Sequence, residues 1–141
     1  TRAWGAMEMG VGTYTVRFMM DDVRAAYDGI PQSGDLTVVA AYLAGKRPVT
    51  VAQTYALAPI RQDVTVTIDD LIGDTPEVRA NIETEVAAMM RKRAKPGGII
   101  YASWVREAIS AATGEDHHDI TIGNLVPTSA GHMIFLEVAF A

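Results

Sequence analysis

The sequence predicts an α+β fold with a mainly antiparallel sheet, helices packed on one face of that sheet, and a division into two small lobes. Two observations lead to this prediction. Short β-branched runs and longer segments with helical apolar spacing follow one another in the order β, α, β, β, α, α, β, β. This order lacks the regular alternation of a parallel βαβ protein. We place the boundary near Ile60, so that residues 1–60 form a strand–helix–strand lobe and residues 61–141 form a strand–helix–helix–strand–strand lobe.

The first lobe is expected to contain two strands around one helix. A β-branched and aromatic run over residues 13–20 predicts the first strand, and the short mixed segment after it predicts a loop with one helical turn. From Ser33, the candidate N-cap, apolar residues recur every three or four positions up to Gly45, which predicts an amphipathic helix. Residues 49–57 predict the second strand. The apolar stripe of the helix consists of Leu36, Val39, Ala40 and Leu43.

The second lobe begins with a strand and a well-marked helix. Val64, Val66 and Ile68 alternate with threonines, which predicts a strand with one buried face. Asp74-Thr75-Pro76 combines residues suited to a helix cap with a proline suited to the first helical turn. A helix is therefore predicted from this point. Its apolar face consists of Val78, Ile82, Val86, Met89 and Met90.

The rest of the lobe is predicted as one more helix and two strands. Pro96-Gly97-Gly98 ends the long helix, and a second apolar stripe then runs to Thr113-Gly114. Residues 120–122 and 132–140 predict the last two strands. The acid pairs Asp21-Asp22 and Asp69-Asp70 fall at expected strand ends, where turn chemistry explains them.

The composition excludes several classes of protein. The chain has 141 residues, 49% of them hydrophobic, which is enough for a packed core, yet no apolar run approaches the length of a membrane helix. Without cysteine it has no disulfide framework, thiolate zinc site or cysteine nucleophile. A net charge of −5 argues against a general phosphate-binding surface. We therefore expect a soluble protein with no membrane and no nucleic-acid partner. Since the chain starts at Thr1, we also expect it to be part of a longer protein.

One cluster of polar residues has metal-ligating side chains. Residues 115–119 read Glu-Asp-His-His-Asp, just before a predicted strand. Adjacent strand residues point to opposite faces, so the two histidines do not easily converge on one ion. A polar turn is the simpler interpretation. The alternative is a metal-binding domain or metal-dependent enzyme, which requires the last two strands to pair so that four side chains meet: His117, His118, Asp119 and His132.

A basic run closes the long helix. Residues 91–95 carry four of the twelve lysines and arginines, and cations are favourable at a helix C-terminus. Besides this structural role we considered docking of an acidic protein and binding of DNA. The helix after the glycine turn is apolar, however, where a DNA-recognition helix offers polar side chains to base edges.

The sequence contains no recognisable catalytic constellation. Gly10-Val11-Gly12 lacks the third glycine and the helix of a dinucleotide-binding turn. A phosphate-binding loop, a nucleophile elbow and a zinc-protease motif are also missing. We therefore predict no catalytic residues, no cofactor and no small-molecule substrate.

Several short segments, in their order and spacing, resemble a known family. They are Arg2-Ala3-Trp4, the stretch 10–18 with Asp21-Asp22, Arg47-Pro48-Val49, Ala58-Pro59-Ile60, Val78-Arg79 with Ile82-Glu83, the stretch 96–100, and the stretch 106–110. Together they resemble the C-terminal part of the baseplate J-like family, which includes the Mu-type and P2-type wedge proteins of contractile phage tails.

The resemblance implies a non-enzymatic virion component of a phage or prophage. Such a wedge protein would bind copies of itself and other wedge proteins around the tail hub, in a baseplate assembled in the bacterial host cytoplasm. The expected contact residues are large aromatic and Met side chains, because these are enriched at the centres of interfaces. They are Tyr42, Met89, Met90, Tyr101 and Trp104.

Overall fold

The computed structural model describes residues 1–141 and separates them into two compact units, Thr1–Ile60 and Arg61–Ala141. Each unit contains one three-stranded sheet, and the chain has three α-helices in all. The α+β class predicted from the sequence is confirmed. Both sheets are mixed rather than purely antiparallel. None of the helices has the length and apolar character needed to cross a membrane.

In the first unit, one helix connects two parallel strands. The strands are β1 (Arg2–Ala6), β2 (Thr13–Met19) and β3 (Gln53–Leu57), in the spatial order β1-β2-β3. β1 and β2 form an antiparallel hairpin, whereas β3 pairs with β2 in parallel. A parallel partner requires a crossover of a dozen or more residues. Helix α1 (Ser33–Lys46) supplies that crossover, a βαβ arrangement that the element order alone did not reveal.

Helix α1 lies close to its predicted position, with a different cap. The N-cap is Gln32 rather than Ser33, and the Gln32 N–H donates to Asp35 Oδ2 at 2.8 Å. The residues of the predicted stripe are half-buried, because the helix covers only a small sheet. The predicted strand 49–57 is wrong in its first part. Residues 49–52 form a turn, held by the Ala52 N–H that donates to Gly12 O at 2.7 Å.

The second unit is built around a long central strand. Its strands are β4 (Ile60–Ile72), β5 (His117–Ile120) and β6 (His132–Phe140), in the order β5-β4-β6. β5 is antiparallel to β4. β6 runs in the direction of β4, since Arg61 lies beside Phe135 while Ile68 O accepts from the Ala141 N–H at 3.1 Å.

Two polar segments of this unit belong to strands, where we expected turns. The pair Asp69-Asp70 lies within β4, and Asp70 adopts φ +49° at a shift in the register with β5. Aspartate tolerates this left-handed conformation, so the pair marks an irregularity of the strand and not its end. β5 spans residues 117–120, earlier than the predicted 120–122, because the polar cluster itself forms the edge strand.

The two helices of this unit share its core with the strands. Helix α2 (Pro76–Arg93) begins as predicted, with the Thr75 hydroxyl accepting from the Val78 N–H at 3.2 Å. Helix α3 (Ala102–Ser110) packs against α2 and β5, and α2 packs against β6. The predicted burial of Val66 and Ile68 is confirmed. The largest fully buried side chains of the unit are Ile68, Ile82, Ile100, Val105, Ile109 and Ile134.

Candidate interaction surfaces

The structure does not bring the four candidate metal ligands together. β5 and β6 lie on opposite sides of β4, so the pairing that would unite His117, His118 and Asp119 with His132 does not occur. His118 Nδ1 lies 2.7 Å from Glu115 Oε1, and His132 Nδ1 lies 2.7 Å from Ser129 Oγ. No group of three or more metal-ligating side chains forms anywhere in the chain. The strand order thus separates His132 from the other three residues of that alternative.

Trp104 is held between a cation and a second aromatic ring. The Arg93 guanidinium carbon lies 4.3 Å from the centre of the Trp104 ring. The Tyr101 ring meets the same indole edge to face, with 4.8 Å between the ring centres. Such contacts contribute about 0.5–1.5 kcal/mol each. Two of the predicted contact residues, Tyr101 and Trp104, therefore form one ordered aromatic cluster.

A shallow groove between α2 and α3 joins this cluster to a third predicted residue, Met89. The groove has a volume of about 260 Å³. Its apolar lining from α2 is Ala88 and Met89, and from α3 and its C-cap it is Trp104, Ala108 and Ala111. We call this surface the α2–α3 groove. The groove exists because the alanine side chains on both helices are small, and the Met89 and Trp104 side chains border it.

Charges of both signs surround the α2–α3 groove. Glu85 and Glu107 lie on its rim together with Lys92 and Arg93. The basic residues belong to the last turn of α2, where they also oppose the negative end of the helix dipole. An apolar centre with a charged rim is the usual composition of a protein–protein contact surface.

The remaining two predicted residues lie elsewhere. Met90 is half-buried, and it is not among the residues that line the α2–α3 groove. Tyr42 is exposed on α1, in the first unit. The five residues thus do not form one surface, because a sequence pattern selects residue types without knowing which helices pack together.

One exposed apolar surface lies at the end of the first sheet and was missed from the sequence. The β1–β2 turn exposes Met7, Met9 and Val11, and the neighbouring turn exposes Val49. The carboxylate of Glu8, the acidic residue between the two methionines, is turned inward to Arg17 at 2.8–3.0 Å. The two methionines that flank Glu8 are the signal available in the sequence.

Comparison with known proteins agrees with the resemblance in the sequence. Residues 62–126 match the family model described as Baseplate J-like protein C-terminal domain. This range includes most of β4 together with α2, α3 and β5. The chain is 31% identical over 121 residues to the protein named "Putative protein JayE" of Escherichia coli (strain K12). That alignment covers 85% of this chain and 44% of the relative, so the chain spans less than half of the relative's length. The resemblance to the Baseplate J-like protein family is confirmed, and it is carried by residues 62–126, which match the C-terminal domain of that family.

Proposed function

We propose that the chain is part of a structural, non-enzymatic protein of a phage tail baseplate, and that it acts through contacts with other tail proteins. The observation that carries this proposal is the match of residues 62–126 to the Baseplate J-like C-terminal domain. The finer proposal is that the whole protein is a wedge protein of a contractile tail, which binds copies of itself and neighbouring wedge proteins. It would reside in the virion and assemble in the host cytoplasm.

The surfaces of the second unit support a role in protein contacts. Its one ordered aromatic cluster, around Trp104, borders the α2–α3 groove instead of lying inside the core. Aromatic and Met side chains with an Arg are the residue types that dominate interface energetics. A stable partner buries about 800 Å² of each protein, so it would cover the groove together with the faces around it.

The first unit is proposed to be a separate contact module. It carries Tyr42 on the outer side of α1 and the exposed apolar residues at the end of its sheet. We propose that residues 1–60 and 61–141 are independent folding units, each presenting its own surface to the baseplate.

The test is incorporation of the protein into purified tails. Tail particles are purified from cells that express the intact protein and are analysed by mass spectrometry. We expect a fixed ratio of this protein to the other baseplate proteins. Its absence from the particles would contradict the proposal.

A substitution in the α2–α3 groove tests the proposed contact surface. Ala88→Arg places a long side chain in the groove at an exposed helical position, where arginine is nearly as favourable as alanine. It should lower incorporation while leaving the folded state unchanged by circular dichroism. Ala80→Arg, also exposed on α2 but outside the groove, is the matched control and should incorporate normally. Equal incorporation of both variants would refute the role of this groove.

A further inference from the structure

A second concave surface lies between helix α2 and the strand β6. Its volume is about 300 Å³. One wall is a helix and the other is a strand at the edge of the sheet, an arrangement in which proteins accept an added strand from a partner. We call it the α2–β6 groove. Its lining residues are Glu83, Val86, Ala87, Leu136, Glu137 and Val138.

The backbone of β6 offers hydrogen-bonding groups to this groove. β6 is nine residues long and its neighbour in the sheet is β4, on one side only. The Ala141 N–H points toward β4, where it donates to Ile68 O at 3.1 Å. Because alternate residues of a strand direct their N–H and C=O groups to the same side, those of Leu136 and Val138 point away from β4. The two β6 residues with outward backbone groups are therefore also residues that line the groove.

The side chains at the floor of the groove are apolar. Phe140 lies beneath α2, with the Arg79 guanidinium carbon 4.9 Å from the centre of its ring. Side chains alternate along a strand, so Val138 and Leu136 share that α2-facing side with Phe140. Val86 of α2 is buried beside them. An incoming strand would therefore meet an apolar strip between the helix and the sheet edge.

Carboxylates outnumber cations around the open edge of β6. Glu83 is exposed in the groove, and no basic side chain lines the groove. Glu137 alternates with Leu136 and Val138, so its side chain lies on the opposite face of β6. There Arg61 is shared between Glu137 at 3.9 Å and Asp63 at 2.5 Å. A segment added beside β6 therefore places Lys or Arg next to Glu137, on the face opposite its apolar residues.

We propose that the α2–β6 groove receives an extended segment of another baseplate protein, which pairs with β6 as a fourth strand. The segment alternates apolar side chains, which lie beside Leu136 and Val138, with Lys or Arg on the opposite face, beside Glu137. This proposal rests on the proposed function for the identity of its partner as a tail protein.

A second copy of this chain fits the groove less well. Two β6 strands paired edge to edge would place the Glu137 carboxylates of both copies near one another. Like charges in such positions oppose pairing. The excess of carboxylates around this edge thus favours a different, basic segment as the occupant.

The experiment uses the 141-residue chain and a synthetic peptide in which valine alternates with lysine and threonine. Binding is followed by NMR of the backbone amides, with a peptide that has glutamate in place of lysine as the control. Ala87→Arg fills this groove, whereas Ala88→Arg, the next residue of the same helix, extends into the α2–α3 groove. The two substitutions are chemically identical and both positions are exposed.

We expect the lysine peptide to protect the amides of Leu136 and Val138 from hydrogen exchange and to bind Ala87→Arg about tenfold more weakly, with Ala88→Arg unchanged. Equal affinity for both variants, a preference for the glutamate peptide, or shifts confined to other strands would overturn the proposal. So would a dimer of the chain that Ala87→Arg dissociates. Since this measurement needs no tail particle, its failure is distinguishable from a failure to find the protein in purified tails.

Discussion

The Arg17–Glu8 ion pair should be a principal stabilising interaction of the first unit. The Arg17 side chain is 7% exposed and that of Glu8 is 13% exposed. Arg17 Nε donates to both carboxylate oxygens at 3.0 Å, and Nη2 donates to Oε2 at 2.8 Å. Arg17 Nη1 also donates to Ala58 O, which links β2 to the residue that follows β3. The pair therefore fixes the β1–β2 turn to the sheet.

The substitution Glu8→Ala removes the carboxylate and leaves a buried guanidinium. Breaking a buried ion pair by removing one partner costs about 3–5 kcal/mol, and we expect the lower end, near 3 kcal/mol, because Ala58 O still accepts from Arg17. Glu85→Ala, at an exposed position of the second unit, is the control and should change stability by no more than about 0.5 kcal/mol.

Urea unfolding followed by NMR separates the two units. Trp4 belongs to β1 and Trp104 to α3, so their indole N–H signals report on the first and second unit respectively. Glu8→Ala should shift the Trp4 transition to lower urea and leave the Trp104 transition in place. If Glu8→Ala lowers the free energy of unfolding reported by Trp4 by less than about 1 kcal/mol, solvent replaces the carboxylate in the variant. The cost expected from burial of the ion pair would then be wrong.

Three further predictions concern stability. Thr15 is fully buried in β2 and its hydroxyl has no hydrogen-bond partner, so Thr15→Val should raise the free energy of unfolding by about 1 kcal/mol in the same urea assay; a decrease would indicate a hydrogen bond to the hydroxyl. The hydrogen bonds from Arg79 hold the pKa of Asp74 below its ordinary value, so this stabilisation is present above about pH 4 and is lost as the pH falls through the lowered pKa. Asp74→Asn should make stability depend less on pH below about pH 4. An unchanged acid unfolding curve would show that the Asp74 carboxylate does not contribute this stabilisation. Residues 61–141 expressed alone should unfold cooperatively in urea with dispersed NMR signals, and a collapsed spectrum would refute independent folding of this unit.

Local features of the fold could be predicted from the sequence because their causes lie within a few residues. The Thr75 cap, the proline at Pro76 and the alternation of Val64, Val66 and Ile68 each act through neighbouring backbone or through the pleat of one strand. These predictions are confirmed by the structure. The polar cluster at residues 117–119 is the exception, since an edge strand can carry polar side chains that resemble a turn.

Features that depend on distant parts of the chain could not be predicted in this way. The parallel direction of β3 depends on where α1 returns the chain, and the separation of His117 from His132 depends on β4 lying between their strands. Both grooves arise from packing between elements, so Ala87 and Ala88 appear equivalent in the sequence although they line different surfaces. Met89, Tyr101 and Trp104 were identified by residue type, and their contact with a partner stays a prediction.

We propose that this chain is a structural part of a phage tail baseplate. The most direct test of this proposal is a cryo-electron microscopy reconstruction of purified tails from the phage or prophage that encodes the chain. We expect density in the baseplate that fits the second unit, with neighbouring protein against at least one of the two grooves. A well-resolved baseplate in which no density accommodates residues 61–141 would contradict it.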